Sequence, residues 1–166
     1  FNGTSSYGVF TPTATTSSRL GIQLVCKFSD TSSAQTLISQ ENGIHLEFTG
    51  THLRSSLAGV TNPTADIAPF TPTADTWYCI DLTYDGTKKA IWVNGIKIGE
   101  VSATGTVNIP ANPVYIGREH TGSQYFNGEI DFLCISKRPL RPYYRPLPRW
   151  MIGLQGFQEN EDWVLL

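Results

Sequence analysis

The segment from Trp77 to Val101 constrains the fold more than any other stretch of this chain. Ile80, Leu82 and Tyr84 alternate with Cys79, Asp81 and Thr83, the period of two by which a strand turns one face to a core and the other away from it. The run breaks at Asp85-Gly86, resumes from Ala90 to Val93, breaks again at Asn94-Gly95 and resumes at Ile96 and Ile98. Asp-Gly and Asn-Gly supply the positive φ that tight hairpin turns require. Residues 77–101 are therefore expected to form three antiparallel strands, which points to an all-β chain. Within them Trp92 alternates away from the core pair Ile91 and Val93.

The same alternation recurs at Leu20, Ile22, Leu24, Cys26 and Phe28, and again at Ile44, Leu46 and Phe48. Val114 to Gly117 and Ile130 to Ile135 supply further strands, with Ile130, Leu133 and Ile135 returning to the core across a bulge. Thr61 to Thr76 holds three prolines and no clear period, and is expected to be a surface loop. No amphipathic helix or internal repeat is present in the pattern. A length of 166 residues suits one large sandwich, with no second globular domain required.

From Arg138 onward the character changes. Arg138, Arg141, Arg145 and Arg149 alternate with Pro139, Pro142, Pro146 and Pro148. Each proline fixes φ and removes an N–H donor, so this stretch is expected to be an extended arm. The expected organisation is a sandwich over 1–140 and an arm over 141–166. The arm's Arg141, Tyr143, Tyr144, Arg145 and Trp150 have the composition of interface anchors, and they are the candidate assembly contact. Left free, they would expose an apolar patch of the kind soluble monomers avoid, although folding back over Trp92 or a sheet face would also cover them.

A formal charge of −2 and a pI near 5.9 give no electrostatic reason to bind nucleic acid or anionic membranes. No apolar run reaches the ~20 residues of a spanning helix. The chain begins at Phe1, as expected of a processed product or the C-terminal part of a longer protein. Cys26, Cys79 and Cys134 lack CxxC spacing and sit in strand-like runs, so buried free thiols are favoured over one disulfide and one thiol.

The order of motifs resembles the laminin-G-like branch of the concanavalin A-like lectin and glucanase families. It rests on Phe1-Asn2-Gly3 with Tyr7 and Val9, on Trp77 to Gly86 with Trp92-Val93-Asn94-Gly95, and on Val114 to Gly117 and Phe126 to Leu140. The resemblance implies an antiparallel jelly-roll sandwich that binds glycans or protein partners through loops or a sheet face. It also implies an extracellular or virion-surface location, and calcium at the rim in some members. Asp30, Asp66, Asp75 and Asp85 fall at expected turns, but none has the spacing of a calcium loop, so no cofactor or metal ligand is assigned.

Retaining glucanases of this superfamily carry a strand reading Glu-x-Asp-x-x-Glu, whose outer carboxylates perform a double displacement. Here Glu129-Ile130-Asp131-Phe132-Leu133 is followed by Cys134, and a thiol cannot act as the acid and base of that reaction. No catalytic residue is assigned, and a glucanase-like hydrolase ranks last. His45, Glu47 and His52 offer three metal-ligand types, but an exposed strand face carries such residues more often for solubility. Asn2-Gly3-Thr4 fits the N-glycosylation rule, a motif too short to decide anything by itself.

Trp92 and the polar, aromatic stretch Thr121 to Tyr125, bracketed by Arg118, His120 and Phe126, have the chemistry of a sugar site. Trp92, Arg118, His120 and Tyr125 are the candidate ligand-binding residues, while packing of Trp92 against a neighbouring strand is the plainer expectation for that side chain. The arm tips the balance toward a non-catalytic structural, adhesive or decoration protein of a bacteriophage, virion or other large assembly, oligomeric or bound to its particle. A secreted or cell-surface carbohydrate-binding module is the alternative.

Overall fold

The computed structural model describes residues 1–61, 64–138 and 163–165, with the backbone alone for 64–66 and 163–165. Fourteen strands, numbered in chain order, make up its regular structure. The first sheet runs β1 (Gly8–Phe10), β12 (Val114–Ile116), β4 (Gln35–Gln40), β5 (Ile44–Phe48), β6 (His52–Leu57) and β7 (Thr64–Pro69). The second runs β10 (Ile96–Ser102), β9 (Lys88–Val93), β8 (Trp77–Tyr84), β3 (Leu20–Phe28), β13 (Gly128–Ser136) and β14 (Trp163–Leu165). A small ribbon pairs β2 (Thr15–Ser17) with β11 (Val107–Ile109). Every pairing is antiparallel. The antiparallel β-sandwich expected from the sequence is the observed fold.

The core lies where alternation places it. Leu20, Ile22, Leu24, Cys26 and Phe28 of β3 are fully buried, as are Ile80, Leu82 and Tyr84 beside them, and they meet Leu46 and Phe48 of β5 and Leu53 and Leu57 of β6. Phe28 is the hub of the aromatic part, with ring centroids 5.4 Å from Phe48, 5.2 Å from Phe126 and 6.0 Å from Phe70. These inclined contacts set the electropositive ring edges against ring faces.

The meander forms as β8, β9 and β10. Asn94 and Gly95 both have positive φ, 51° and 80°, and Val93 pairs directly with Ile96, as in a type I′ turn. At the other connection Asp85 spans a longer turn, its carboxylate accepting the N–H groups of Thr87 and Lys88 at 2.8 Å each. The bulge in β13 falls between Ile130 and Phe132, and Ile130, Leu133 and Ile135 turn to the core. Cys26, Cys79 and Cys134 are free thiols. Burial pushes all three up, Cys79 to about 12 and Cys134 to about 11, so they stay protonated at neutral pH.

One expectation is overturned. Thr61 to Thr76 is not a plain surface loop, because it contains β7, which pairs with β6 at the edge of the first sheet. Proline conceals strands, yet an edge strand accepts it, and Pro69 is the last residue of β7. Ile67, Ala68 and Phe70 are buried there, and the Ile67 carbonyl lies so close to Gly99 of β10 that a Cβ at Gly99 would collide with it. The two sheets thus close on each other along that side.

Lys89 pairs with Tyr84 and points inward, with no solvent exposure, its Nζ donating to the Ser55 carbonyl across the sandwich at 3.2 Å. Desolvation lowers its pKa to about 8.

Two outcomes follow for stability. Gly95→Val places a β-branched side chain where φ is positive, and thermal melts should show a loss of roughly 1 kcal/mol or more. For Lys89, the unfolded chain keeps the proton up to about pH 10.5 while the folded chain releases it near pH 8. Stability of the wild type should therefore rise relative to Lys89→Met between these values, by on the order of 1–3 kcal/mol. Denaturant curves of both proteins at pH 7, 9 and 10.5 measure it, and parallel pH profiles would contradict it.

Candidate functional site

Residues 117–126 build a loop on the outer side of the first sheet. β12 ends at Ile116, and the loop is closed at its base by Phe126 N–H donating to the Gly117 carbonyl at 2.8 Å. A second rung joins Glu119 N–H to Ser123 O at 2.9 Å, and Gly122 and Gln124 turn the chain with φ of 89° and 48°. Four hydrogen bonds fasten the loop to β4: Thr36 N–H donates to Gln124 O at 2.9 Å and its hydroxyl to Gln124 Oε1 at 3.2 Å, Gly117 N–H donates to Leu37 O at 2.9 Å, and the Ser39 hydroxyl donates to Arg118 O at 3.1 Å. Phe126 is fully buried, so the end of the loop is held in the core.

The Arg118 guanidinium packs against two aromatic rings that meet each other edge to face at 5.9 Å, its carbon 4.1 Å from the centroid of Tyr7 and 4.1 Å from that of Tyr115. Tyr115 faces out because Val114 and Ile116 flank it on a strand, and β1 beside β12 brings Tyr7 to the same place. Burial works against the Arg118 charge, but hydrogen bonding to Tyr125 and Tyr115 more than offsets it, so its pKa is raised.

Beside this cluster lies a histidine and carboxylate group. His120 Nδ1 is 3.5 Å from Glu119, and His45 Nε2 is 3.8 Å from Glu47, which also pairs with Arg54 at 3.2 Å. Burial lowers the pKa of His45 against the pull of Glu47 and Glu119. The β5 face was expected to be exposed, yet Glu47 is only 7% exposed. The reason is that its carboxylate is enclosed between His45 and Arg54 on neighbouring positions of the sheet.

Of the four candidate binding residues, Arg118, His120 and Tyr125 come together on this loop. Trp92 lies apart, on the outer side of the second sheet, where its Nε1 donates to the Thr83 hydroxyl at 3.2 Å and Lys97 sits 5.7 Å from its ring. That is the neighbouring-strand packing expected for it. Arg141, Tyr143, Tyr144, Arg145 and Trp150 fall outside the described residues. Beyond them, Trp163 to Leu165 pair with Ser136 to Cys134, adding a strand to the second sheet. Tyr7 and Tyr115 were missed as site residues. Alternation along Val114 to Ile116 marks Tyr115, but no local signal places Tyr7 next to Arg118.

The acidic candidates for a metal or for catalysis are engaged elsewhere. Asp30 accepts bonds from Ser33 and Ser32, which hold its pKa down to about 2, and Asp85 caps its own turn. Asp66, expected at a turn, is a paired residue of β7 opposite Arg54. Among the described residues no group of three or more His, Cys, Asp or Glu side chains has the arrangement of a metal site. Glu129 forms an ion pair with Lys27 at 2.7 Å, and Cys134 is buried. The Asn2 carboxamide oxygen accepts the N–H groups of Thr4, Ser5 and Ser6, so Asn2 organises the first turn of the chain.

Solved structures share this architecture at low sequence identity. Domain 4 of an extracellular arabinanase from Geobacillus stearothermophilus, in complex with arabinotriose, aligns over 87% of this chain and 72% of its own, with a TM-score of 0.63 and 17% identity. The CBM40 of the Ruminococcus gnavus IT-sialidase, bound to alpha2,3 sialyllactose, aligns over 81% of this chain and 92% of its own, with a TM-score of 0.55 and 18% identity. A candidate carbohydrate binding protein from Bacteroides ovatus aligns over 82% of this chain with a TM-score of 0.66 and 19% identity, and this chain spans 42% of its length. At such identities the likeness concerns the fold. No match is found among the curated proteins. The laminin-G family described as the Concanavalin A-like lectin/glucanases superfamily matches residues 2–143, and the chain belongs to it.

Proposed function

We propose that this chain is a non-catalytic carbohydrate-binding module acting outside the cell or on a surface, and that the 117–126 loop with Tyr7 and Tyr115 is its sugar platform. The observation that carries the reading is the Tyr7–Arg118–Tyr115 cluster, in which Tyr7 remains 46% exposed. A flat ring covers the apolar face of a pyranose, while guanidinium, imidazole and hydroxyl groups around it bond the sugar's oxygens. Held by Thr36, Ser39 and Phe126, the loop presents these groups with little left to order on binding. The bound arabinotriose and sialyllactose of two relatives in fold agree with this use of the sandwich. The absence of catalysis rests on Cys134, whose buried thiol stays protonated, and on Glu129, which is tied to Lys27.

Calorimetric titration of the full chain with a panel of neutral and acidic oligosaccharides tests the platform. At least one should bind, and Tyr115→Ala should weaken it about 10-fold or more, the effect of removing one stacking ring at the centre of a contact. No saccharide should be hydrolysed. Binding that ignores Tyr115→Ala, or turnover lost in Glu129→Gln, would refute the reading.

A second reading, a structural or adhesive module of a virion or other large assembly, is carried by the arginine, proline and aromatic composition of residues 138–152. Such a segment bars ladder bonding and concentrates interface-type side chains. Deleting residues 141–166 should then leave a cooperatively melting sandwich that no longer associates in sedimentation or mass measurements. Collapse of the melting transition in the truncated chain would refute that role.

A further inference from the structure

Arg118 lacks the carboxylate partner that several other described cations have. Lys27, Arg54, Lys88 and Lys97 each lie near a carboxylate, at 2.7, 3.2, 2.6 and 2.8 Å respectively. Among the described residues Arg118 forms no ion pair, and the carboxylate next to it in sequence, Glu119, is directed to His120 at 3.5 Å. Its Nε is buried without a hydrogen-bond partner, and so are His120 Nδ1 and His45 Nε2.

The aromatic surroundings limit what can satisfy this charge. Both ring centroids lie 4.1 Å from the guanidinium carbon, and the rings meet each other at 63° with centroids 5.9 Å apart, so they cover the guanidinium from two adjacent sides with aromatic groups rather than with a carboxylate. Tyrosine hydroxyls can accept some of the guanidinium's hydrogens, but they bring no negative charge. The complement to the guanidinium's fork of donors is a planar or branched oxyanion, held by two parallel N–H···O bonds. A guanidinium packed against two rings is also ordered before the ligand arrives, which lowers the entropy lost on binding.

We infer that the platform selects a glycan bearing a negatively charged group, a carboxylate or a sulfate ester, and that Arg118 is the residue that holds it. The inference rests on the sugar-binding reading and narrows it. His120, Tyr125 and the exposed ring of Tyr7 surround the anion with hydrogen-bond donors and an apolar wall. Neutral sugars of the same size would lack the charged contact and bind more weakly.

The experiment compares trigalacturonate, its methyl ester and a sulfated galactose disaccharide by calorimetric titration of the full chain at low and high salt. Trigalacturonate should bind at least about 10-fold more tightly than its ester, the difference expected for one charge-assisted bidentate contact. Added salt should narrow the gap. The sulfated disaccharide, tested beside its unsulfated parent, shows whether sulfate serves as well as carboxylate. Arg118→Gln should abolish the preference, and Arg118→Lys should restore it only in part, because lysine keeps the charge but not the fork. Melting curves of both variants establish that they fold, and the acid-against-ester comparison needs no variant at all. Equal binding of acid and ester overturns the inference while leaving sugar binding intact. An acid preference that survives Arg118→Gln in a folded protein overturns it too. Failure of every saccharide to bind removes this inference and the sugar-binding reading together.

Discussion

The contact between Phe28 and Phe126 is the interaction on which the rest of this structure depends. Phe28 ends the most buried strand of the second sheet, and Phe126 ends the loop that carries Arg118, His120 and Tyr125. Their rings meet edge to face at 5.2 Å, inside a cluster that also takes in Phe48 and Phe70 of the opposite side. Deleting a core phenylalanine typically costs about 3–5 kcal/mol, a large part of the stability of a small domain. The same aromatic cluster therefore joins the sheets and fixes one end of the site loop. A loop held in this way can present charged and aromatic groups without first having to be ordered.

The electrostatics of the outer surface divides along the same line. Most charged pairs, such as Lys88 with Glu100 and Lys97 with Glu100, lie at the surface and contribute between about 0 and 1 kcal/mol each. Glu47 is different, since it is buried between His45 and Arg54 and would be costly to leave unpaired. Arg118 is different again, because aromatic faces instead of a carboxylate surround it.

The fold could be read from the sequence because alternation and hairpin turns are local signals. Asn94-Gly95 marked its turn, and the strands around Ile22, Leu46 and Leu82 were visible as period-two runs. β7 was hidden by its prolines, since nothing in the sequence says that the strand lies at a sheet edge, where proline is tolerated. β4, Gln-Thr-Leu-Ile-Ser-Gln, is buried throughout despite its polar ends, and so lacks the alternation that reveals a half-buried strand. The site was only partly readable for a related reason. Arg118, His120 and Tyr125 lie close together along the chain, but Tyr7 reaches them through the pairing of β1 with β12, a contact between distant segments. Trp92 carried the same chemistry in the sequence and lies on the other sheet. The composition of the arm weighs toward an assembly role, and the Tyr7–Arg118–Tyr115 cluster moves the balance toward sugar binding.

A crystal structure of the full chain grown with a bound oligosaccharide addresses the central claim most directly. The account predicts a sugar ring seated against Tyr7 and Tyr115, with an oxygen of the ligand within hydrogen-bond distance of Arg118. A saccharide found instead on the outer side of the second sheet, around Trp92 and Lys97, would contradict it.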